Sequence, residues 1–308
     1  MRTHFHWTEL AEADRGASVA MGNFDGVHLG HQAVIDQARR ADAPLGIVTF
    51  EPHPRQFFAP KAPAFRLMNA EARTHRLEKL GVEQLYELPF NADLAGMEAE
   101  DFVAEVLVRG LGVAHVTVGA DFCFGKGRKG NVDTLRDCAR RHGFGVTIAE
   151  LVEMGGEEIS STAIRTALAE GRPRDAAQML GHWHRIEGEV LHGDKRGRDL
   201  GFPTANMGVG GLHLPKLGVY AVKVDVLTGP HQGSYNGAAS LGVRPMFGEN
   251  KPNLESFLFD FKGNLYGEHL SVALIDYLRP EMKFDGLPAL VEQMNADCHR
   301  ARTILAAL

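Results

Sequence analysis

The stretch ASVAMGNFDGVHLGH, residues 17–31, indicates the fold of the first half of the chain. A short apolar run at 17–21 leads into a glycine-bearing turn, after which the apolar residues take helical spacing. A second strand-like run, LGIVTF, follows at 45–50. We therefore predict a strand–helix–strand unit whose turn lies at the helix start. Free N–H groups and the helix dipole at such a turn favour an anion.

The alternation of strands and helices continues to about residue 180. Helices are predicted near 70–80, 99–109 and 131–143 and from about 161 and 173, and strands near 84–88, 113–119 and 144–150. This order predicts an α/β domain with a parallel sheet covered on both faces.

The pattern changes near residues 182–188. Five strand-like runs follow, separated by Gly, Pro and Asn turns without an intervening helix, and a helical segment closes the chain at about 287–306. We predict a small antiparallel barrel with one C-terminal helix. The predicted domains are residues 1–182 and 183–308.

Composition agrees with two domains and excludes several classes of protein. The chain has 308 residues, of which 44% are hydrophobic, and a net charge of −6, which argues against a basic surface for duplex nucleic acid. Three cysteines without a C-x-x-C pair exclude a disulfide framework and a thiolate zinc site. No apolar run approaches the roughly 18 residues of a membrane span. We expect a cytoplasmic protein without membrane or nucleic-acid partners.

Two histidines mark the first candidate site. His28 and His31 are three residues apart, on one face of the first helical turn after the glycine turn. Two imidazoles there would hold a phosphate and stabilise charge that develops during transfer. A solvated histidine pair, or half of a metal site, is the alternative.

A second segment, ISSTAIR (159–165), combines hydroxyls with a guanidinium. Ser160, Ser161 and Thr162 suit a helix N-terminus, and Arg165 projects over the same turn. Together they would contact a triphosphate. Plain N-capping is the alternative.

The loop GADFCFGKGRKG (119–130) contains a misleading motif. Gly125, Gly127 and Gly130 match G-x-G-x-x-G, but DFCF separates them from the strand, and this is not the first strand-to-helix turn. A Walker motif fails because Lys126 is followed by glycine. We interpret the segment as a basic active-site loop or a solvated surface loop.

The barrel half offers two candidate features. Thr204 and Asn206 are two apart in an extended segment, so both side chains face one way with oxygens suited to Mg²⁺, unless they form an ordinary turn. Alternation in LESFLFDF places Glu255 with Phe257, Phe259 and Phe261 on what we predict is the buried face, and Leu254, Ser256 and Leu258 opposite. Burying a carboxylate on that face costs free energy unless the group is paired or has a function. Glu255 is therefore either a functional group, for example a general base, or a glutamate that finds a partner at the strand end.

The whole set of motifs resembles the prokaryotic bifunctional riboflavin kinase/FAD synthetase family. The motifs are GNFDGVHLGH, TFEPHP (49–54), GADFCFG, ISSTAIR, HGDKRGRDLGFPTAN (192–206), ESFLFDF and LRPEMKF, and they span nearly the whole chain. The resemblance implies a Rossmann-like nucleotidyltransferase domain of the HxGH type, followed by a Greek-key barrel. It also implies two reactions: phosphorylation of riboflavin by ATP to FMN, and adenylylation of FMN by ATP to FAD and pyrophosphate.

The resemblance assigns roles to residues at matching positions. It implies that His28 and His31 act in adenylyl transfer, that Glu255 takes the proton from the ribityl 5′-hydroxyl, and that Thr204 and Asn206 hold Mg²⁺. Implied nucleotide contacts are Gly22, Asn23, Phe24, Asp25, Ser160, Ser161, Thr162, Arg165, Gly193, Lys195, Gly197 and Thr204. Implied flavin contacts are Asp121, Phe122, Phe124 and Arg279.

One segment departs from the family pattern, and alternatives stay open. Ser240 replaces an expected asparagine and Met246 an expected threonine, which affects ligand contacts near that strand. The alternatives are an FAD synthetase whose barrel only binds flavin, a non-catalytic flavin-binding module, and another HxGH nucleotidyltransferase. Glu255 with Thr204 favours an active kinase, and the HLGH and ISSTAIR segments argue against a module without catalysis.

Overall fold

The computed structural model describes residues 1–150, 152–154, 156–192, 201–246 and 249–308. The chain forms two compact units, which we call the first unit (Met1–Pro63 and Arg73–Ile159) and the second unit (Ala64–Ala72 and Ser160–Leu308). A boundary at 182/183 stays a prediction.

A six-stranded sheet organises the first unit. The strands, in the spatial order β1-β4-β3-β2-β5-β6, are all parallel, which confirms the predicted sheet. They are β1 Arg2–His4, β2 Ser18–Met21, β3 Leu45–Glu51, β4 Gln84–Pro89, β5 His115–Gly119 and β6 Gly145–Ala149. A ribbon of β7 Glu153–Met154 and β8 Glu157–Glu158 follows.

The helices of this unit are α1 Leu29–Ala38, α2 Pro54–Phe58, α3 Ala70–Lys79, α4 Ala92–Gly96, α5 Ala99–Asp101 and α6 Val132–His142. Helices α1, α3, α5 and α6 begin close to the predicted positions, whereas α2 and α4 were not predicted from the sequence. The chain continues from α5 as a π-helix, Phe102–Gly110, so the segment predicted as one helix at 99–109 has two geometries.

Side chains pack on both faces of the sheet. All four residues of β2 are buried. Val19 and Met21 join the core that contains the π-helix residues Val103 and Val106. From the opposite face, the Ser18 hydroxyl donates a hydrogen bond of 2.5 Å to the Ala38 carbonyl at the end of α1. Burial on both faces explains the nearly continuous apolar runs of these strands.

The strand order places two loops together. The chain moves outward from β2 to β3 and β4, and then returns to add β5 on the other side of β2. In open parallel sheets, ligands bind at the carboxyl ends of the strands where the order reverses. The turn after β2 and the loop after β5 both begin at that crevice.

The second unit begins with two helices and continues as a barrel. The helices are α7 Ser161–Ala169 and α8 Pro173–Leu180, and the strands are β9 Arg185–Glu189, β10 Ala205–Gly208, β11 Gly218–Val226, β12 Gly233–Met246, β13 Glu249–Leu258 and β14 His269–Arg279. The order β14-β11-β12-β13 is a Greek key. A hydrogen bond of 2.8 Å from Leu191 N to Asn206 O links the two edges of the sheet, so the barrel is nearly closed. Strand β10 was not predicted from the sequence.

The aromatic face of β13 was predicted to be the buried one, and Phe259 on it is buried, but the opposite face is buried as well. Leu254 and Leu258 belong to the barrel core, together with β11 and β14 residues, and Ser256 is fully buried between them. Phe257 and Phe259 pack on the outer face against the C-terminal helix α9, Leu287–Ala306. Since α9 buries the outer face, alternation could not distinguish inside from outside.

A buried ion pair anchors α9 to the barrel. Asp297 accepts hydrogen bonds from Arg279 Nε and Nη2 at 2.8–3.0 Å, and Arg279 Nη1 donates to the Pro280 carbonyl at 2.9 Å. The two charged side chains are 15% and 9% exposed. An unpaired charge at such a position is strongly destabilising.

Asp297→Ala is therefore expected to lower the free energy of unfolding of the barrel by about 3 kcal/mol, measured by denaturant titration. Asp260→Asn is the control, because Asp260 pairs with Arg302 from an exposed position, 80% accessible, and asparagine tolerates the left-handed backbone of this residue, whose φ is 59°. The control should leave stability nearly unchanged. Equal losses in the two variants would contradict the anchoring role of Asp297.

Candidate functional site

The turn after β2 has an unusual, tightly held backbone. Phe24 and Val27 have φ of 50° and 44°, and both side chains are buried. Gly22 N donates to the Val48 carbonyl at 3.1 Å, and the Thr49 hydroxyl donates to the Asn23 carbonyl at 3.3 Å. A non-glycine residue with left-handed backbone angles costs about 1–3 kcal/mol of folding free energy, and such residues cluster at functional sites. The turn is thus fixed by its neighbours and directs the start of α1 toward the crevice.

His28 and His31 form one stacked pair at the start of α1. His28 is the N-cap residue, and its Nδ1 accepts a hydrogen bond from His31 N at 3.3 Å. The two rings lie 3.7 Å apart between centroids, and the Phe24 ring meets His31 edge-on at 5.3 Å. His31 Nδ1 is buried, with no hydrogen-bond partner among the described residues.

The environment of His31 favours its neutral form. Burial, followed by the neighbouring His28, lowers the pKa of His31 well below its ordinary value. A neutral imidazole donates through one nitrogen and accepts through the other. In this environment the His31 imidazole can therefore direct a hydrogen bond at an incoming phosphate.

Gly30 leaves the space that the stacked rings of His28 and His31 occupy. A Cβ at Gly30 would lie 3.1 Å from both Cε1 and Nδ1 of His28, closer than ordinary contacts allow. The glycine between the two histidines thus permits the ring stack.

The loop after β5 is pinned at its base. Phe124 and Gly130 exchange two backbone hydrogen bonds of 3.0 Å, and Gly130 has no space for a side chain because Ala99 Cβ would lie 2.6 Å from it. Phe124 is buried in the core, whereas Phe122 is half-buried and stacks on it with a centroid distance of 5.8 Å. Asp121 and the basic tip of the loop are exposed.

An aromatic surface in the first unit was not predicted from the sequence. Phe57 and Phe58 on α2 and Phe90 after β4 contact one another at centroid distances of 5.2–5.8 Å. Phe58 is 67% exposed, which is unusual for a phenylalanine. The adjacent pair in PRQFF, directly after TFEPHP, was the available signal.

The ISSTAIR segment starts α7 in the second unit. Ser160 is the N-cap, and its hydroxyl oxygen accepts a hydrogen bond from Ala163 N at 3.2 Å, as N-capping requires. Arg165 Nε donates to the Phe65 carbonyl at 2.6 Å, which fixes its side chain. Thr162 is exposed in the first turn, and Ser161 is half-buried.

A polar cluster lies on the outer face of the barrel. Asn206 and Glu255 are directly opposite on β10 and β13, and Asn206 Nδ2 donates to Thr204 Oγ1 at 3.5 Å. Asn253, which was not predicted from the sequence, donates to Asn206 Oδ1 and to Glu255 Oε1, both at 3.3 Å. The structure thus brings the three predicted kinase residues together, and we call this group, with Asn253, the β10–β13 cluster.

The remaining predicted residues have different surroundings. Gly193, Lys195 and Gly197 lie outside the described residues. Arg279 is bonded to Asp297 and to the Pro280 carbonyl, and its guanidinium lies 5.6 Å from the Phe284 ring. A flavin contact through Arg279 stays a prediction.

Comparison with known proteins identifies both halves of the chain. The FAD synthetase family model matches residues 10–163, and the Riboflavin kinase family model matches residues 180–305. A bifunctional riboflavin kinase/FMN adenylyltransferase of Pseudomonas fluorescens is 43% identical over 303 residues, covering 96% of each chain. That of Bacillus subtilis (strain 168) is 38% identical over 309 residues, covering 97% of this chain and 95% of the relative.

A solved structure matches over the same extent. It is described as a macrolide-efflux protein from Streptococcus pneumoniae, with a TM-score of 0.82 and 31% identity over 98% of both chains. Within the described part of this chain, no helix is long and apolar enough to span a membrane. The two family matches and the full-length relatives agree: the chain belongs to the bifunctional riboflavin kinase/FMN adenylyltransferase family, with an FAD synthetase domain followed by a riboflavin kinase domain.

Proposed function

We propose that the two activities use separate residues: the turn 22–31 for adenylylation of FMN, and the β10–β13 cluster for phosphorylation of riboflavin. The observation that carries the second assignment is the direct opposition of Asn206 and Glu255 across two strands, with Thr204 bonded to Asn206. The proposed domains remain residues 1–182 and 183–308, in a cytoplasmic protein.

Adenylyl transfer needs positioning and charge stabilisation rather than a protein nucleophile. The phosphate of FMN attacks the α-phosphorus of ATP, the new P–O bond forms, and the bond to pyrophosphate breaks. His28, His31 and the N–H groups at the start of α1 stabilise the charge on the phosphates. Gly22, Asn23, Phe24 and Asp25 shape the turn. Ser160, Ser161, Thr162 and Arg165 are proposed as further triphosphate contacts.

Riboflavin phosphorylation benefits from a base, because the nucleophile is an alcohol. Glu255 accepts the proton of the ribityl 5′-hydroxyl, whose oxygen attacks the γ-phosphorus of ATP as the bond to ADP breaks. Asn253 bonds one carboxylate oxygen of Glu255. We propose Gly193, Lys195 and Gly197 as phosphate contacts in the same reaction.

The donor set of the β10–β13 cluster fits Mg²⁺. Thr204 Oγ1 and Asn206 Oδ1 are hard, neutral oxygens close to a carboxylate, and Mg²⁺ at such sites takes its remaining ligands from water and phosphates. When bound, Mg²⁺ neutralises charge on the phosphates of ATP. These two residues would hold it.

Aromatic side chains are the proposed flavin contacts of the first unit. Phe122 is half-buried and stacks on the buried Phe124, and Asp121 is exposed beside it. Phe58, in the separate contact group with Phe57 and Phe90, is a further accessible aromatic side chain. A flavin ring gains apolar burial and stacking on such surfaces. Arg279 is proposed to contact flavin at the kinase end.

Gly30→Ala tests the histidine pair without deleting it. The added methyl group meets the His28 ring at 3.1 Å, so we expect kcat/KM for FMN adenylylation to fall about tenfold, with riboflavin phosphorylation unchanged. Alanine favours the helix more than glycine does, so the loss of kcat/KM should not be accompanied by a comparable loss of thermal stability. Gly96→Ala is the control, because a methyl group added there would meet nothing within 4 Å beyond its own helix. Wild-type adenylylation by Gly30→Ala would contradict a role for the stacked geometry.

Thr204→Val tests the proposed metal ligand. The change removes the hydroxyl at nearly constant shape, so the Mg²⁺ concentration for half-maximal riboflavin phosphorylation should rise roughly tenfold. The Mg²⁺ dependence of FMN adenylylation is the internal control and should not move. An unchanged Mg²⁺ dependence of phosphorylation would remove Thr204 from the metal site.

A further inference from the structure

Asn253 occupies a central place in the β10–β13 cluster. It is only 4% exposed, and its single amide nitrogen lies 3.3 Å from both Asn206 Oδ1 and Glu255 Oε1. A primary amide carries two N–H donors, so one group serves both acceptors. Hydrogen bonds therefore form a chain that runs from Glu255 to Asn253, then to Asn206 and then to Thr204.

Strand β10 leaves space for this arrangement. Gly208 on β10 and Gly242 on β12 are the residues directly opposite Asn253. A side chain at Gly208 would meet nothing within 4 Å, whereas the Glu281 carboxylate occupies the space over Gly242. The open space beside Gly208 lets the Asn253 amide reach along the strands to Asn206 and Glu255, which favours hydrogen bonding over packing as its role.

We infer that Asn253 is a positioning residue for riboflavin phosphorylation, which holds the Glu255 carboxylate and the Asn206 amide in one common orientation. Rotation of the Asn206 amide by half a turn would exchange its oxygen and nitrogen. The donor from Asn253 takes one lone pair of Asn206 Oδ1 and favours the orientation with Nδ2 toward Thr204, which leaves the second lone pair of Oδ1 for a metal ion. This inference rests on the proposed roles of Glu255 and Asn206.

Asn253→Leu removes both donors at similar volume. We expect kcat for riboflavin phosphorylation to fall about tenfold or more, with KM for riboflavin changed less than about twofold, because the base is disordered while the flavin site is intact. Asn253→Gln retains the amide and should recover part of the lost kcat. FMN adenylylation should be unchanged in both variants.

A binding measurement, which does not depend on turnover, distinguishes a positioning role of Asn253 from a packing role. Calorimetric titration of the riboflavin-free protein with Mg²⁺ and ADP should show weaker binding for Asn253→Leu than for Asn253→Gln. Ser256→Ala is the control on the opposite face of β13, because Ser256 is fully buried and its hydroxyl has no partner among the described residues. The control should match wild type in kcat and in binding.

Three outcomes decide the inference. Wild-type kcat for Asn253→Leu overturns it, and so do equal losses in Asn253→Leu and Asn253→Gln that follow their melting temperatures. A loss of kcat in Asn253→Leu that Asn253→Gln partly restores supports it. If Glu255→Gln still phosphorylates riboflavin at the wild-type rate, the proposed function of Glu255 fails, whatever Asn253 does.

Discussion

Glu255→Gln is expected to lower kcat for riboflavin phosphorylation by about 10²–10⁴-fold and to leave FMN adenylylation unchanged. Glutamine has the same shape but cannot accept the proton of the ribityl hydroxyl. Its amide oxygen still accepts the hydrogen bond that Asn253 donates to Glu255, so the barrel should stay folded. Steady-state assays with each flavin substrate measure both rates in one preparation.

Glu189→Gln serves as the matched control for this prediction. Glu189 is an exposed glutamate at the end of β9 in the same barrel. Its substitution should change neither rate. A Glu255→Gln protein that phosphorylates riboflavin as fast as wild type would exclude Glu255 as the base.

The combined change His28→Ala and His31→Ala is expected to lower kcat for FMN adenylylation by about 10²–10³-fold, with riboflavin phosphorylation unchanged. The reason is the loss of two positioned groups at the start of α1, where the His31 Nδ1 atom is buried without a partner among the described residues. Loss of the N-cap at His28 costs about 1 kcal/mol, which the fold should tolerate.

His142→Ala controls for the loss of a histidine from a helix end. His142 is exposed at the end of α6 in the first unit, outside the turn 22–31. The control should adenylylate FMN normally. Wild-type adenylylation by the double variant, with the fold verified by circular dichroism, would contradict the assignment of the histidine pair.

Much of the fold follows from local sequence patterns. The alternation from residue 17 onward predicts the parallel sheet, because strands that are buried on both faces carry nearly continuous apolar runs. The change of pattern near 182–188 likewise predicts the antiparallel barrel. Strand β10 was missed because its four residues, Ala205–Gly208, are too few for the alternation of buried Ala205 and Met207 to indicate a strand, and tertiary pairing with β13 defines it.

The candidate site was predicted less completely than the fold. Motif residues such as His28, Thr204 and Glu255 are visible as residue types at particular spacings. Asn253 is not, because a lone asparagine in a strand acquires its role only when β10 lies beside β13. Burial of both faces of β13 was missed for a similar reason, since the covering helix α9 is remote in sequence.

The most direct test of two separate transfer sites mixes two variants, each of which has lost one of the two activities. Glu255→Gln and the double variant His28→Ala with His31→Ala are incubated separately and together with riboflavin, ATP and Mg²⁺, and the flavins are separated by chromatography. We predict unchanged riboflavin with the first, FMN without FAD with the second, and FAD in the mixture. Formation of FAD from riboflavin by either variant alone, or accumulated FMN without FAD in the mixture, would contradict two separate transfer sites.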